Sequence, residues 1–534
     1  MTSKISRLLE NFQDVQKKKC ERTGDIPSWL EGTLVRNGPG MFKFGDTEQK
    51  HLFDGMSYLC RFHFEDGEMF YSARFLESEA YKANMKAQRV IRGSFGTVSF
   101  PDPCKNIFQR FFSFFSKPET SDNCGVSFCQ VGDGVYAVTE TPIMTRIDLD
   151  SLEVLDKVDM RKYLTLHTYT AHCNGDEEGN VFNIGSSYGK DSAYVFAKTL
   201  NPLKHSETAS SHSTELTELI GTLKATDPGM PTYYHSFGMS ENYFILFESP
   251  LRLSALKLGF SRAIYNSYRD CMSWNDSKGT NVLLMNRHTG KALDIKFKAP
   301  PFFTFHHANS FEKDGFVVVD YCYMRNPGTF EELELRALRR IESSFGADDN
   351  TKMYLHRMII PLSVDETAKV GDDLLKNCSF AGTCHAYLRD ESTVFLEDMR
   401  MCDFNFEFPR YNFEHFNMKE YKYVYGSDAL SFNQDVTIGV VKADVTGNGN
   451  HKVWKKPKNS HMCAEPVFIP HPQLTEEDDG ILLVPVMTSE DGDNPYLVVL
   501  NSKDMTEIAR FVIPESRIPF GFHGIYSGPR KAEK

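Results

Sequence analysis

The stretch His-Ser-Phe-Gly-Met-Ser-Glu-Asn-Tyr-Phe-Ile-Leu-Phe (235–247) places a histidine before a polar turn and a strongly apolar strand. The same plan recurs at His172, ahead of Asp-Glu-Glu-Gly (176–179) and Val-Phe-Asn-Ile (181–184). It recurs again at His306, ahead of Glu-Lys-Asp-Gly (312–315) and Phe-Val-Val-Val (316–319). Apolar runs bounded by such turns indicate β-strands. Three histidines therefore stand at one phase of a repeated β-unit.

The spacing of these histidines indicates how many units the chain contains. They are 63 and 71 residues apart, close to one seventh of the 534-residue chain, and His523 follows His306 after 217 residues. Antiparallel hairpins with polar turns recur at 145–155, 283–293, 441–450 and 500–509. Such repeats are typical of β-propellers. We expect an all-β, seven-bladed propeller, a single domain over 1–534 with helical or loop cap insertions; a β-sandwich with long excursions is the alternative.

Composition narrows the classes of function. The net charge of −12 argues against a nucleic-acid partner, because phosphate contacts need a basic surface. The 12 cysteines are scattered without a CxxC pair, which indicates reduced thiols rather than disulfides or a zinc site. The chain shows neither a signal peptide nor an apolar run of about twenty residues. We expect a cytoplasmic protein, with a mitochondrial location as the alternative.

The four histidines are candidate metal ligands. Equivalent positions on the inner strands of a propeller point at its axis, so His172, His235, His306 and His523 are expected to converge. Crowded imidazoles are costly to bury without a partner, and a metal ion resolves the crowding. Neutral imidazole suits zinc, copper, iron and nickel alike, so the ligand type leaves the metal open.

Three acidic residues are candidates for the surroundings of that metal. Glu140, Glu407 and Glu465 lie in apolar stretches, and glutamate is rarely fully buried without a partner. Such acids either orient ligand imidazoles through the second ring nitrogen, or they end strands and pair with lysine. Spacing alone leaves both interpretations open.

Ordered motifs run along nearly the whole chain. They are Trp-Leu-Glu-Gly-Thr-Leu-Val-Arg-Asn-Gly-Pro-Gly (29–40), His-Leu-Phe-Asp-Gly (51–55), Tyr-Lys-Ala-Asn-Met (81–85), Tyr-His-Ser-Phe-Gly-Met (234–239), Phe-His-His-Ala-Asn (305–309), Glu-Phe-Pro (407–409), Ala-Glu-Pro-Val-Phe (464–468) and Gly-Phe-His-Gly (521–524). Together they resemble the carotenoid cleavage oxygenases, in particular the animal branch that includes the β-carotene oxygenases and the retinoid isomerohydrolase. The chain looks closest to the eccentric-cleaving β-carotene oxygenases.

The resemblance implies an Fe(II) ion on the propeller axis, held by the four histidines, which match the family's ligand positions. It implies that three acids orient three of these ligands: Glu140 with His235, Glu407 with His306, and Glu465 with His523. His172 would then lack a carboxylate. Thr139 matches a threonine whose methyl group partly blocks one metal position, and His307 is expected to pack or hydrogen-bond beside the centre.

The activity implied by the family is oxidative cleavage. Dioxygen adds across one conjugated C=C bond of a carotenoid or apocarotenoid, and the product splits into two carbonyl fragments. We therefore expect a non-haem iron dioxygenase of carotenoid and retinoid metabolism, with no catalytic side chain beyond the metal centre. The polyene needs an apolar tunnel, for which Phe53, Phe408 and Phe522 are candidates because they lie beside the motifs.

Two segments are candidates for peripheral contact with a membrane surface. Residues 104–117 crowd phenylalanines between basic residues, which is typical of an interfacial helix, and a buried helix is the alternative. The phenylalanines expected to contact lipid are Phe108, Phe111, Phe112 and Phe115. Residues 250–268 form the second segment, and Cys104 matches a family cysteine that undergoes acylation.

Three other functions are compatible with these motifs: a retinoid isomerohydrolase acting on retinyl esters, a non-enzymatic carotenoid or retinoid carrier, and a scaffold propeller with a structural metal. The chain also departs from the family in two places. Residues 330–340 are charged where relatives are richer in aromatics, and Cys173 follows His172 where relatives have proline. If the charged segment caps the tunnel, we expect a different substrate or cleavage position. The polyene, the scissile bond, any accompanying isomerisation and the oligomeric state do not follow from the sequence.

Overall fold

A computed structural model describes residues 4–106, 120–205, 210–261, 266–340, 351–428, 437–490 and 492–529. Over these ranges, seven β-sheets of four to six strands are arranged around one axis as the blades of a propeller. The predicted all-β, seven-bladed architecture is confirmed, and the sandwich alternative is wrong. We number the blades along the chain, starting with the blade that contains both the N-terminal and the C-terminal strands.

The first four blades contain the following strands. Blade 1 consists of Val15–Lys19, Gly32–Met41, Met56–Glu65, Glu68–Phe75 and His523–Ser527. Blade 2 consists of Ser127–Val131, Gly134–Val138, Ile143–Ile147 and Val154–Asp159. Blade 3 consists of Thr168–Tyr169, Asn174–Gly175, Val181–Ser187, Ala193–Thr199 and Thr217–Lys224. Blade 4 consists of Gly238–Met239, Tyr243–Glu248, Thr280–Asn286, Lys296–Ala299, His385–Leu388 and Thr393–Glu397.

The last three blades complete the ring. Blade 5 consists of His307–Lys313, Phe316–Tyr323, Tyr354–Pro361 and Met399–Arg400. Blade 6 consists of Glu407–Arg410, Tyr423–Ser427, Ile438–Asp444 and Lys452–Lys455. Blade 7 consists of Glu21–Gly24, His461–Cys463, Val467–Pro470, Gly480–Thr488, Tyr496–Asn501 and Glu507–Val512. Two small sheets pair Leu251–Leu253 with Met272–Trp274 and Lys43–Phe44 with Thr47–Glu48.

Helices in the described ranges are short. The α-helices are Glu79–Ala87, Ala255–Phe260, Thr329–Glu332, Leu335–Leu338 and Phe413–Phe416, and the 3₁₀ helices are Lys4–Leu9, Leu52–Asp54, Met160–Lys162, Pro202–Lys204, Arg269–Cys271 and Asp276–Lys278. None of these helices is long and apolar enough to cross a membrane. Phe108, Phe111, Phe112 and Phe115 lie outside the described residues, whereas Cys104 lies within them and is exposed.

The core lies between successive blades, so central strands are buried on both faces. Every residue of Gly32–Met41 is buried, whereas most of the outer strand Thr217–Lys224 is not. Gly480–Thr488, also buried almost throughout, is apolar nearly without interruption, and strands of this kind give the sequence its continuous runs rather than strict alternation. The layer between blades 3 and 4, for example, joins Ile184 to Phe244 in one apolar cluster.

Two antiparallel pairings close the ring. Gly32–Met41 pairs with His523–Ser527, which sets Asn37 opposite His523, and Glu21–Gly24 pairs with Glu507–Val512. The closure brings the last innermost strand into contact with the first one of blade 2, Ser127–Val131. Innermost strands therefore contact each other around the axis, and residues at their equivalent ends face a common point.

Candidate metal centre

The four histidines come from the innermost strands of four different blades. His523 begins the inner strand of blade 1, and His306 immediately precedes that of blade 5. His172 lies between the two short inner strands of blade 3, and His235 lies just before the inner strand of blade 4. One ring nitrogen from each histidine lies within 4.8 Å of the other three. The sequence repeat predicted this convergence correctly; ligation of a metal stays a prediction.

The converging ring nitrogens lie close enough together for a single cation to contact them. Nε2 of His306 lies 3.2 Å from Nε2 of His523, and Nε2 of His172 lies 2.9 Å from Nε2 of His235. In His306 and His523 the Nδ1 atom donates to a carboxylate, so in the neutral ring Nε2 presents its lone pair. Two lone pairs at this distance repel each other unless a positive charge lies between them. The donor set therefore fits a metal ion.

The three blades that supply no histidine supply carboxylates. Each predicted acid accepts a hydrogen bond from Nδ1 of its predicted histidine: Glu140 of blade 2 from His235 at 2.6 Å, Glu407 of blade 6 from His306 at 2.5 Å, and Glu465 of blade 7 from His523 at 2.8 Å. No carboxylate of the described residues has a hydrogen bond to His172. Each of the seven blades thus contributes one residue to the centre.

Burial favours the neutral imidazole of His172, His306 and His523, which is the form that binds metals. Burial lowers the pKa of His523 to about 3, although the neighbouring Glu465 acts in the opposite direction. Burial, followed by the approach of the other imidazoles, also lowers the pKa of His172 well below its ordinary value. The pKa of His306 is lowered in the same direction for the same reasons.

Two arginines hold Glu465. Arg410 donates from Nε to Oε1 at 2.8 Å and from Nη2 to Oε2 at 3.1 Å, and Arg36 donates from Nη1 to Oε2 at 3.1 Å. Burial on its own would raise the pKa of Glu465, but Arg410, His523 and Arg36 outweigh it and hold this pKa well below its ordinary range. Glu465 is therefore an anion in the metal-free protein.

Glu407 has a different environment. Burial raises its pKa to about 7, and the amide N–H of Phe408 donates to Oε2. Its second oxygen, Oε1, has no hydrogen-bond partner among the described residues. Without a cation at the centre, an ionised carboxylate at this position is poorly compensated.

Tyr233 positions the third carboxylate. Its hydroxyl donates to Oε1 of Glu140 at 2.6 Å, the same oxygen that accepts from His235. Sequence analysis missed Tyr233, Arg36 and Arg410, although each lies within or beside a quoted motif. Their contacts join residues as far as 486 positions apart, so no local spacing could have indicated the partners.

An apolar cavity of about 90 Å³ opens on one side of the histidines. The predicted tunnel residues Phe53, Phe408 and Phe522 all line it, and Thr139 lies in its wall. The ring of Phe408 packs 5.4 Å from that of His306 and 5.3 Å from that of His523, measured between centroids. Further wall residues that the sequence did not single out are Phe95, Phe305 and Phe520.

The charged segment 330–340 lies over this cavity, and it is the apolar residues of the segment that face the cavity. Leu333 lines the cavity, and the buried ring of Phe330 packs 5.3 Å from Phe305 and 6.1 Å from Phe53. Glu331 and Arg336 are exposed on the other side of the segment. The aromatic wall is therefore retained where the sequence suggested its loss.

A second, more polar cavity of about 220 Å³, called the polar cavity below, opens on the other side of the histidines. His172, Cys173, Asn174 and Arg410 line it. His307 also faces this side: its Nδ1 lies 2.9 Å from the hydroxyl of Ser236, and the histidine does not join the ligand cluster. The predicted role of His307 as a neighbour is confirmed in its packing.

Known proteins resemble this chain over almost its full length. The model of the retinal pigment epithelial membrane protein (RPE65) family matches residues 9–528. The human mitochondrial carotenoid-cleaving dioxygenase is 33% identical over 535 residues, covering 98% of this chain and 90% of the relative. The rat beta,beta-carotene 15,15'-dioxygenase is 34% identical over 537 residues, covering 96% and 90%.

Solved structures show the same fold. Cobalt-substituted ACO from Synechocystis aligns with a TM-score of 0.76 at 22% identity and covers 98% of both chains. An ACO/RPE65 chimera aligns with the same TM-score, identity and coverage. The full-length family match and the 33–34% identity to curated dioxygenases show that the chain belongs to the RPE65 family of carotenoid cleavage oxygenases.

Proposed function

We propose that this protein is an iron(II)-dependent dioxygenase that cleaves one conjugated C=C bond of a carotenoid or apocarotenoid into two carbonyl fragments. The observation that carries the proposal is the meeting of four imidazole nitrogens at the inner end of a cavity walled by phenylalanine. The names of the two dioxygenase relatives support a carotenoid as the substrate class.

The four histidines would hold the metal as neutral donors, so its positive charge is not cancelled by the ligands. Bound iron(II) would supply the position at which dioxygen reacts and the electrons for that reaction. The carboxylates of Glu140, Glu407 and Glu465 hold the Nδ1 protons, so that each partner imidazole presents its Nε2 lone pair to the axis. Thr139, beside Glu140 in the cavity wall, would narrow the space next to the metal.

The aromatic cavity would bind and orient the polyene. Its phenylalanines exclude water from the reacting bond and contribute dispersion along a flat conjugated chain. Phe408 packs against two of the proposed ligands, so it limits how the polyene lies relative to the metal. The depth to which the polyene enters would select the bond that is cleaved.

We also propose a peripheral contact with membranes through 250–268, in a protein of the cytoplasm. In the helix Ala255–Phe260, Leu256 is 72% and Phe260 60% exposed, with Lys257 between them. Exposed apolar side chains next to a basic residue are typical of surfaces that rest in the interfacial layer of a bilayer. An apolar polyene partitions into the hydrocarbon interior of the same bilayer.

The test is product analysis under labelled dioxygen. Protein purified without oxygen and loaded with Fe(II) is incubated with a panel of carotenoids and apocarotenals under ¹⁸O₂. Wild type is expected to yield two carbonyl fragments with label, His306→Ala none, and the control His212→Ala, at a surface histidine away from the centre, the wild-type yield. Isomerised retinyl esters without any cleavage would replace the proposal with an isomerohydrolase; bound pigment without turnover would replace it with a carrier.

A further inference from the structure

The layer of histidines separates two cavities, of which one is mainly apolar and the other more polar. Along the innermost strands, residues before this layer line the apolar cavity, and residues after it line the polar one. Phe522 faces the apolar side and Gly524 the polar side, with His523 between them. Val126 and Ser127, neighbours at the start of blade 2, likewise line opposite cavities.

A metal ion that reaches this layer must pass through one of the two cavities. Removing a divalent cation from water into apolar surroundings costs far more than moving it past polar groups. The residues that line the polar cavity include Ser127, Asn174 and Ser236, and Cys173 next to the proposed ligand His172. Oxygen and sulfur atoms are common metal ligands in proteins.

A strap, residues 411–419, continues from the inner strand of blade 6 across the outer end of the polar cavity. Its Tyr411 and Phe413 line that cavity, and Phe413 is 47% exposed. The strap is fastened to blade 3 by Asn417, whose Nδ2 donates to Oδ1 of Asn174 at 3.1 Å and to the carbonyl of Gly175 at 2.8 Å.

Further polar contacts fasten the strap to blade 5 and, at a second point, to blade 3. Asn309 of blade 5 donates from Nδ2 to the carbonyls of Phe416 and Lys419 at 2.9 and 3.1 Å. Lys419 also forms an exposed ion pair with Glu177 at 2.6 Å. Contacts of this kind are individually weak in water, so a small number of them determines how often the strap opens.

We propose that the polar cavity is the route by which the metal ion reaches and leaves the four histidines, and that the strap covers its outer end and opens for exchange. The apolar cavity then remains reserved for the polyene. This proposal rests on the proposed metal centre. It adds the route of the metal ion, the segment that covers this route, and a rate of metal exchange that can be measured.

The test measures metal exchange rather than catalysis. Metal-free protein is mixed with Co(II) in a stopped-flow instrument and uptake is followed by the visible absorption of the bound ion; release is followed by adding a chelator. Ser127→Phe fills the polar cavity and is expected to slow uptake at least tenfold. Its neighbour Val126→Phe fills the apolar cavity and is expected to leave the uptake rate within twofold of wild type. Asn417→Ala removes the two side-chain hydrogen bonds from the strap to Asn174 and Gly175 and is expected to accelerate uptake and release about tenfold.

The outcomes separate the route from the centre itself. Slower Co(II) uptake in Val126→Phe than in Ser127→Phe would overturn the proposal, because it would place the route in the apolar cavity. Equal uptake rates in wild type and in all three variants would overturn it as well. If Ser127→Phe fails to fold, judged by circular dichroism, the Asn417→Ala rates decide alone. Absence of Co(II) binding in wild type, or binding that His306→Ala leaves unchanged, would overturn the metal centre and with it the proposed function.

Discussion

Replacing Glu465 and Glu407 by glutamine distinguishes two roles of the buried carboxylates. One role is to orient an imidazole, and the other is to neutralise the charge of an arginine. Glu465→Gln leaves the guanidinium of Arg36 without its anion, and both side chains are only 3% exposed. Removing one partner of a buried ion pair costs about 3–5 kcal/mol. Arg410 is 34% exposed on its side chain and adds less, because solvent screens it. Glu407→Gln removes an acid whose pKa burial already raises to about 7 and which has no arginine partner among its described contacts, so we expect a change within about 1 kcal/mol.

The assay is urea unfolding of the metal-free protein, followed by fluorescence of its three tryptophans and extrapolated to water. Metal affinity is measured in parallel by titration with Co(II). Each variant replaces the charged acceptor of one imidazole N–H by a neutral amide, which can also present its NH2 group to the ring, so both are expected to weaken binding about 10- to 100-fold. Equal loss of unfolding free energy in the two variants would refute the assignment of Arg36 to Glu465. Unchanged Co(II) affinity in both would refute the orienting role of the acids.

Four further predictions follow from the same contacts. Burial lowers the pKa of His51 to about 4, so the unfolded chain takes up a proton between pH 6.5 and 4 that the folded chain does not. The stability contributed by neutral His51 is lost as the pH falls through this window. In urea titrations between pH 7 and 4, the free energy of unfolding of wild type should therefore fall by about 3 kcal/mol more than that of His51→Asn. Equal losses in the two proteins would contradict this prediction. Tyr233→Phe removes the hydroxyl that holds Glu140 and should weaken Co(II) binding about fivefold, less than Glu140→Gln does; an equal loss would make the hydroxyl as important as the acid. Leu256→Glu should reduce sedimentation with phospholipid vesicles, whereas Leu203→Glu, at a comparably exposed position on blade 3's outer edge, should not; identical sedimentation would exclude the helix as a contact. Finally, the pairing of Glu21–Gly24 with Glu507–Val512 closes the ring, so a single domain should unfold with coincident transitions in near- and far-ultraviolet circular dichroism. Two separate transitions would show that the chain unfolds as more than one domain.

Much of the metal centre was predictable, because residues at equivalent positions of a propeller's sequence repeat lie at equivalent positions around its axis. His172, His235 and His306 precede similar turns and strands, so a fold that repeats around an axis brings them together whatever the loops contain. Pairing of the acids with the histidines was predicted by family resemblance rather than by spacing. Blade 2 shows why: Glu140 and His235 meet only because blades 2 and 4 face one axis.

Other features depend on contacts that no local pattern encodes. Arg36 meets Glu465 because ring closure places the first long strand beside the last one. The charged segment 330–340 retains an aromatic wall because Phe330 and Leu333 turn inward while its charges stay in water, which composition alone did not reveal.

By itself the sequence determined the blade repeat, the type of donor and the four histidines, because alternation along a strand and the phase of a repeat are local properties. The tertiary structure alone decided that four blades supply imidazoles, three supply carboxylates, and one layer divides an apolar cavity from a polar one. The physical reason is closure of the ring: only when backbone hydrogen bonds join the two ends of the chain do the inner strands share an axis, and only then does each side chain acquire the neighbours that set its charge.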